Sequence, residues 1–199
     1  AAFSTMSMGR AGPYTLAASG TGLTPDTSAS VTRGAAAVRR LAFPAKPGTG
    51  TAGASITPAV AVTAQDALGN TVTSFNASVT MSLAANPPGG TLSGGTTVTA
   101  VSGVATFANL RLDRAGAGYQ LRATASALIA TSDTFSIVPG APAQLVFTTQ
   151  PTTTAAGSSI TPAPQVTVRD AQGNTVTSFT GPVAIAIGAN PGGGTLAGT

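Results

Sequence analysis

AGASITPAVAVTAQDALGNTVTSF at residues 52–75 returns as AGSSITPAPQVTVRDAQGNTVTSF at residues 156–179, so the chain aligns with itself at an offset of 104 positions. The likeness runs outward in both directions. LAF at 41 becomes LVF at 145, and AANPPGGTLSG at 84–94 becomes GANPGGGTLAG at 188–198. Self-similarity at a fixed period marks a duplicated structural unit, each copy built on the same supersecondary pattern.

The first forty residues answer the other half of that unit. AAF at 1–3 and GRAGPYTLAAS at 9–19 correspond to ATF at 105–107 and DRAGAGYQLRATA at 113–125. Tyr14 and Tyr119 differ by 105 positions because one residue is missing from the earlier copy. The chain therefore divides into residues 1–40, the C-terminal half of a unit; residues 41–144, a complete unit; and residues 145–199, the N-terminal half of the next. PGAPAQ at 139–144 has the Pro and Gly content of a short inter-domain joint.

Within the complete unit the apolar period is two. Val60, Val62 and Ala64 alternate with polar or small residues, as do Val79, Met81 and Leu83, then Tyr119, Leu121, Ala123 and Ala125, and last Phe135 and Ile137. Such alternation predicts half-buried strands. Turn signals separate them: DALGN at 66–70, NPPGG at 86–90, SG at 102–103 and RAGAG at 114–118. About seven short strands per hundred residues, joined by tight turns and without a helical period, predict an all-β fold of antiparallel β-sandwich type. Phe75, Phe107, Tyr119 and Phe135 are its large rings and are expected to carry much of the buried area. Tyr119 is a candidate for a tyrosine corner, with a plain half-buried ring as the alternative.

Composition agrees with that class and excludes others. Apolar residues make up 42% of the chain and charged residues 7%, too apolar and too weakly charged for disorder. The net charge of +4 is spread thinly, its one cluster being Arg33, Arg39 and Arg40, which reads as solvated linker charge and not as a nucleic-acid surface. Without cysteine there are no disulfides, thiolate nucleophiles or thiolate metal sites. No run of about 18 apolar residues suggests membrane insertion, and AAFSTMSMGR at 1–10 lacks a signal peptide's apolar core.

Candidate chemistry is sparse. His, Cys and Glu are all missing, which removes the usual general acids, bases and activated nucleophiles, so no catalytic residue is assigned. Asp66 and Asp170 occupy equivalent positions in different copies and do not form a glycosidase pair. Each precedes a Gly-Asn pair, Gly69-Asn70 or Gly173-Asn174, where a short carboxylate accepts backbone N–H groups while Gly supplies positive φ. A calcium ligand is the sharper reading, but calcium takes about six to eight oxygens. One Asp per turn reads as a brace, and no metal or cofactor is expected. Lys46 is the sole lysine for a covalent Lys–Asn crosslink, and its surroundings lack the Glu such a bond needs. The sequon Asn76-Ala77-Ser78 has Thr180-Gly181-Pro182 opposite it in the other copy and is read as coincidence.

A strand ending in Asp, then GN, then V-x-x-F, followed by G-x-A-x-F and A-G-x-x-Y-x-L-x-A, resembles the bacterial Ig-like repeats of the invasin and intimin type, over essentially the whole chain. The spacer around NPPGG is longer than that pattern. The resemblance implies tandem Ig-like β-sandwich repeats on a bacterial cell surface or in a secreted protein, forming a stalk, fibre or filament. An adhesin or glycan-binding module touching a cell-surface ligand is the alternative, and an accessory domain beside a catalytic one is a third. The near-identical loops of both copies favour the spacer. The partner expected is self, head to tail, through chain continuity or through strand complementation between terminal half-domains.

Overall fold

The computed structural model describes residues 2–198, and every helix or strand assigned among them is a strand. Residues 2–40 hold β1 (Gly12–Tyr14), β2 (Ala17–Ala18), β3 (Asp26–Thr27) and β4 (Val31–Arg33), with β1 on β4 and β2 on β3. The central stretch holds β5 (Arg40–Ala42), β6 (Gly50–Thr51), β7 (Val60–Gln65), β8 (Ser78–Ala85), β9 (Leu92–Ser93), β10 (Thr97–Thr99), β11 (Val104–Phe107), β12 (Arg111–Leu112), β13 (Gly116–Ala125), β14 (Leu128–Thr131) and β15 (Phe135–Val138). Beyond it, β16 (Gln144–Thr149) pairs with β17 (Gln165–Arg169). The central strands outnumber the seven or so expected, because pieces of two or three residues such as β6, β9 and β12 pair without any apolar alternation to announce them.

Two sheets share the central core. One has the order β11-β7-β5; the other runs β10-β8-β13-β15-β6, with β14 added on β13. All their pairings are antiparallel except β15 with β6, which is parallel. The alternating positions explain the arrangement, since a strand sends successive side chains to opposite faces. Val60, Val62, Ala105 and Phe107 come from the first sheet, and Val79, Met81, Tyr119, Leu121, Ala123, Phe135 and Ile137 from the second; together they form one buried cluster. Phe107 and Tyr119 are wholly buried, and full burial of an apolar side chain of this size contributes about 1.5–3 kcal/mol. The Tyr119 and Phe135 rings lie 5.9 Å apart, centroid to centroid. Phe75 is only half-buried: it lies in the turn-rich segment after β7, not on a strand, and packs on the cluster from its margin.

The flanking strands reproduce pairings of the central ones. Leu145 faces Val168 as Leu41 faces Ala64, and Gly12 faces Arg33 as Gly116 faces Ile137. Tyr14 faces Val31 as Tyr119 faces Phe135, but β13 carries a bulge between Ala117 and Tyr119 that β1 lacks. A bulge inserts one residue into one strand of a pair. The residue missing from the earlier copy is thus the bulge residue.

Candidate functional site

The turns after β7 and β17 each present one carboxylate and one carboxamide to the stretch of chain that precedes them. At Asp66–Asn70 the reversal needs a left-handed residue, and Gly69 supplies it at φ 84°; Gly173 does the same at φ 83°. The carboxylate organises each turn. Asp66 Oδ1 accepts the N–H groups of Leu68 and Asn70, both at 2.9 Å, and Oδ2 accepts Asn70 Nδ2 at 2.9 Å and the Ala36 N–H at 3.1 Å. Asp170 repeats the set: Gln172 and Asn174 N–H at 3.0 and 2.8 Å, Asn174 Nδ2 at 2.9 Å and Gly140 N–H at 2.8 Å. A carboxylate offers about four lone-pair positions. All are occupied in both turns, which makes each Asp the brace its sequence position suggests.

The asparagines reach further. Asn70 Oδ1 accepts the Ala11 N–H at 3.0 Å while its Nδ2 donates to the Gly9 carbonyl at 3.2 Å. Asn174 Oδ1 accepts the Ala115 N–H at 2.9 Å and its Nδ2 donates to the Asp113 carbonyl at 2.8 Å. The gripped loop is R-A-G in both places, Arg10-Ala11-Gly12 and Arg114-Ala115-Gly116. Sequence reasoning assigned the Asp its role and passed over the Asn, whose partners lie about sixty positions away. The available signal was that the G-N pair and the R-A-G triplet recur together at the same offset.

Tyrosine steadies the gripped loop. Tyr119 Oη donates to the Arg114 carbonyl at 2.8 Å, and Tyr14 Oη to the Arg10 carbonyl at 2.9 Å. The hydroxyl of the expected tyrosine corner does bond main chain, though a few residues back along its own chain and not across to the facing sheet, and it fixes the loop between the two atoms that Asn174 holds. Asp113 Oδ1 in turn accepts the Thr91 N–H at 2.6 Å. Next to it, the Gln172 side chain packs over Gly53, where a Cβ would collide with its carboxamide.

Electrostatics follow the hydrogen bonds. The Asn70 carboxamide, aided by three main-chain N–H groups and opposed by burial, holds the Asp66 carboxyl at a pKa of about 2. Burial pushes Asp170 up, but Asn174 and the N–H groups of Gly140, Asn174 and Gln172 outweigh it and leave the carboxyl below its ordinary value. Asp113 is lowered chiefly by the Thr91 N–H, and burial raises the Tyr119 phenol. The arrangement holds the charges of Asp66 and Asp170 in place among N–H donors. Lys46 is exposed, at the mouth of a recess of about 430 Å³ with Gly118 and Phe135.

Neither a family model nor a curated protein matches the chain. Among solved structures the chain is similar to one described as surface layer protein SbsC, domains 4-9, with 18% identity and a TM-score of 0.39, over 83% of this chain and 25% of that one. The chain thus spans a quarter of the length of that structure's chain.

Proposed function

We propose that this chain is a structural segment of a bacterial extracellular fibre, stalk or filament, made of tandem Ig-like antiparallel β-sandwich units that continue head to tail. One observation carries the reading: the same Asp–Asn turn grips the same R-A-G loop at two places 104 positions apart. A unit that buries its own core and meets each neighbour in the same way generates length by repetition. The absence of His, Cys and Glu from the sequence favours a role without acid–base or nucleophilic chemistry. On this reading the chain has no catalysis of its own, works at the cell surface or outside the cell, and takes further units of its own kind, head to tail, as partner. Electron microscopy of the native material tests it. Beaded fibres with one bead for each 104-residue repeat are expected, and isolated compact particles would overturn the proposal.

A further inference from the structure

The contacts that Asp66, Asn70, Asp170 and Asn174 make across the two junctions end on main-chain atoms: Gly9 O, Ala11 N and Ala36 N at the first, Asp113 O, Ala115 N and Gly140 N at the second. The side chains differ at two of the three equivalent positions, Ala11 and Ala115 being the same. Gly9 stands where the other copy has Asp113, and Ala36 where it has Gly140, yet the bonds stay between 2.8 and 3.2 Å. Main-chain groups are present whatever the residue type, proline's N–H excepted. A joint that uses them alone is indifferent to most changes in the loop it holds.

The chemistry of the turn also excludes a competing design. Cation-stiffened joints need free carboxylate oxygens, several to each ion. Here the four acceptor positions of each Asp are filled by N–H groups, and each Asn Nδ2 divides its two hydrogens between its own Asp and the neighbouring loop. The Asp orients the Asn and accepts one N–H across the junction, and the Asn makes the other two junction bonds.

We infer that the D-x-x-G-N turn is a docking element for the R-A-G loop of the preceding unit, and that Asn70 and Asn174 hold neighbouring units in one orientation through main-chain contacts alone, without a cation. The inference deepens the structural reading above and rests on it for the meaning of the junction. It makes the junction tolerant where the copies differ: exchanging Gly9 for the Asp113 type, or Ala36 for the Gly140 type, leaves the bonds in place. Asp66 and Asp170 position the Asn beside them and each add one bond of their own, from the Ala36 or Gly140 N–H.

Hydrogen–deuterium exchange on the 199-residue chain tests this, with small-angle scattering as a second readout. Asn174→Ala removes both bonds to the loop, and exchange at the Ala115 amide is expected to rise about tenfold, since one net hydrogen bond sets that scale. The Leu121 amide, inside the central core, stays protected as a control for folding. Arg114→Ala changes the largest side chain of the loop and leaves Ala115 protection within about twofold. Excess calcium or a chelator changes neither exchange nor the scattering curve. The inference is overturned if Ala115 exchange ignores Asn174→Ala, if Arg114→Ala opens the junction as far, or if a chelator loosens it. Should Asn174→Ala unfold residues 145–198, the Arg114→Ala and chelator arms still decide. Compact particles in the microscope would remove the fibre and leave this result standing, so the two failures are distinguishable.

Discussion

Asp66 sits almost fully buried with its charge ringed by donors, the Asn70 carboxamide first among them. That environment ties the junction to acid in a definite direction. The carboxyl titrates near 3.8 when unfolded and at about 2 when folded, so as pH falls the unfolded chain takes up the proton first. A group with a lowered folded pKa stabilises the folded state above its unfolded value and loses that contribution as pH drops through its folded value. Asp113 and Asp170 are lowered too and act in the same sense. The urea midpoint is therefore expected to hold steady down to mildly acidic solution and to fall between about pH 4 and pH 2. Asn70→Ala removes the largest cause of the Asp66 shift and flattens that fall. A midpoint independent of acid, or equally steep in Asn70→Ala, would show that the carboxylate is not held as described.

At the scale of elements, the long strands were legible in the sequence because alternation and burial are one fact stated twice: Val60, Val62 and Ala64, or Tyr119, Leu121, Ala123 and Ala125, line one face each. The Asp brace was equally readable, since three of the four donors to Asp66 lie within four residues and only the Ala36 N–H comes from distant chain. Contacts set by distant chain were not. The parallel addition of β6 to β15 and the pairing of β9 with β12 join segments too short to carry a period, and Asn70 finds Gly9 and Ala11 only after folding. Phe75 was misjudged for a related reason: ring size predicts burial, but the turn that carries it leaves one side open. Close approach between elements also constrains single glycines. Gly94, just after β9, has φ 95°, and a Cβ there would strike the Asn109 carbonyl ahead of β12. Gly94→Ala should cost about 1–3 kcal/mol from backbone strain, and the clash adds to it. Gly95→Ala, whose Cβ would rest 3.4 Å from Asn109 Oδ1 with no positive φ, should be nearly neutral in the same urea melts. Equal losses from the two would mean that β9 and β12 do not approach as they do here.

For the whole molecule, the decisive comparison is between equivalent residues in different surroundings. Ile56, Val79 and Met81 are buried in the central core, while their counterparts 104 positions on, Ile160, Val183 and Ile185, are 41%, 44% and 49% exposed. Local sequence is nearly the same in the two places; what differs is the company of β11, β13 and β15. On the proposed reading the apolar surface that residues 145–198 leave open is closed by the other half of a unit, and burial belongs to the assembled unit. A chain extended after Thr199 by a second copy of residues 96–144 supplies that half. Residues 145–199 then gain the missing sheet partners, and Ile160, Val183 and Ile185 pass into a core like that of Ile56, Val79 and Met81. Each globular residue contributes about 0.7 kcal/mol to the unfolding enthalpy near 60 °C, so a further unit of about a hundred residues should add about 70 kcal/mol by calorimetry. Because the added unit meets its neighbour through the Asn174 turn, its transition should move closer to that of the central unit than it does in Asn174→Ala. An extended chain that gains no cooperative heat would show that the two half-sequences do not form one folding unit, and the repeat would then be a repeat of letters only.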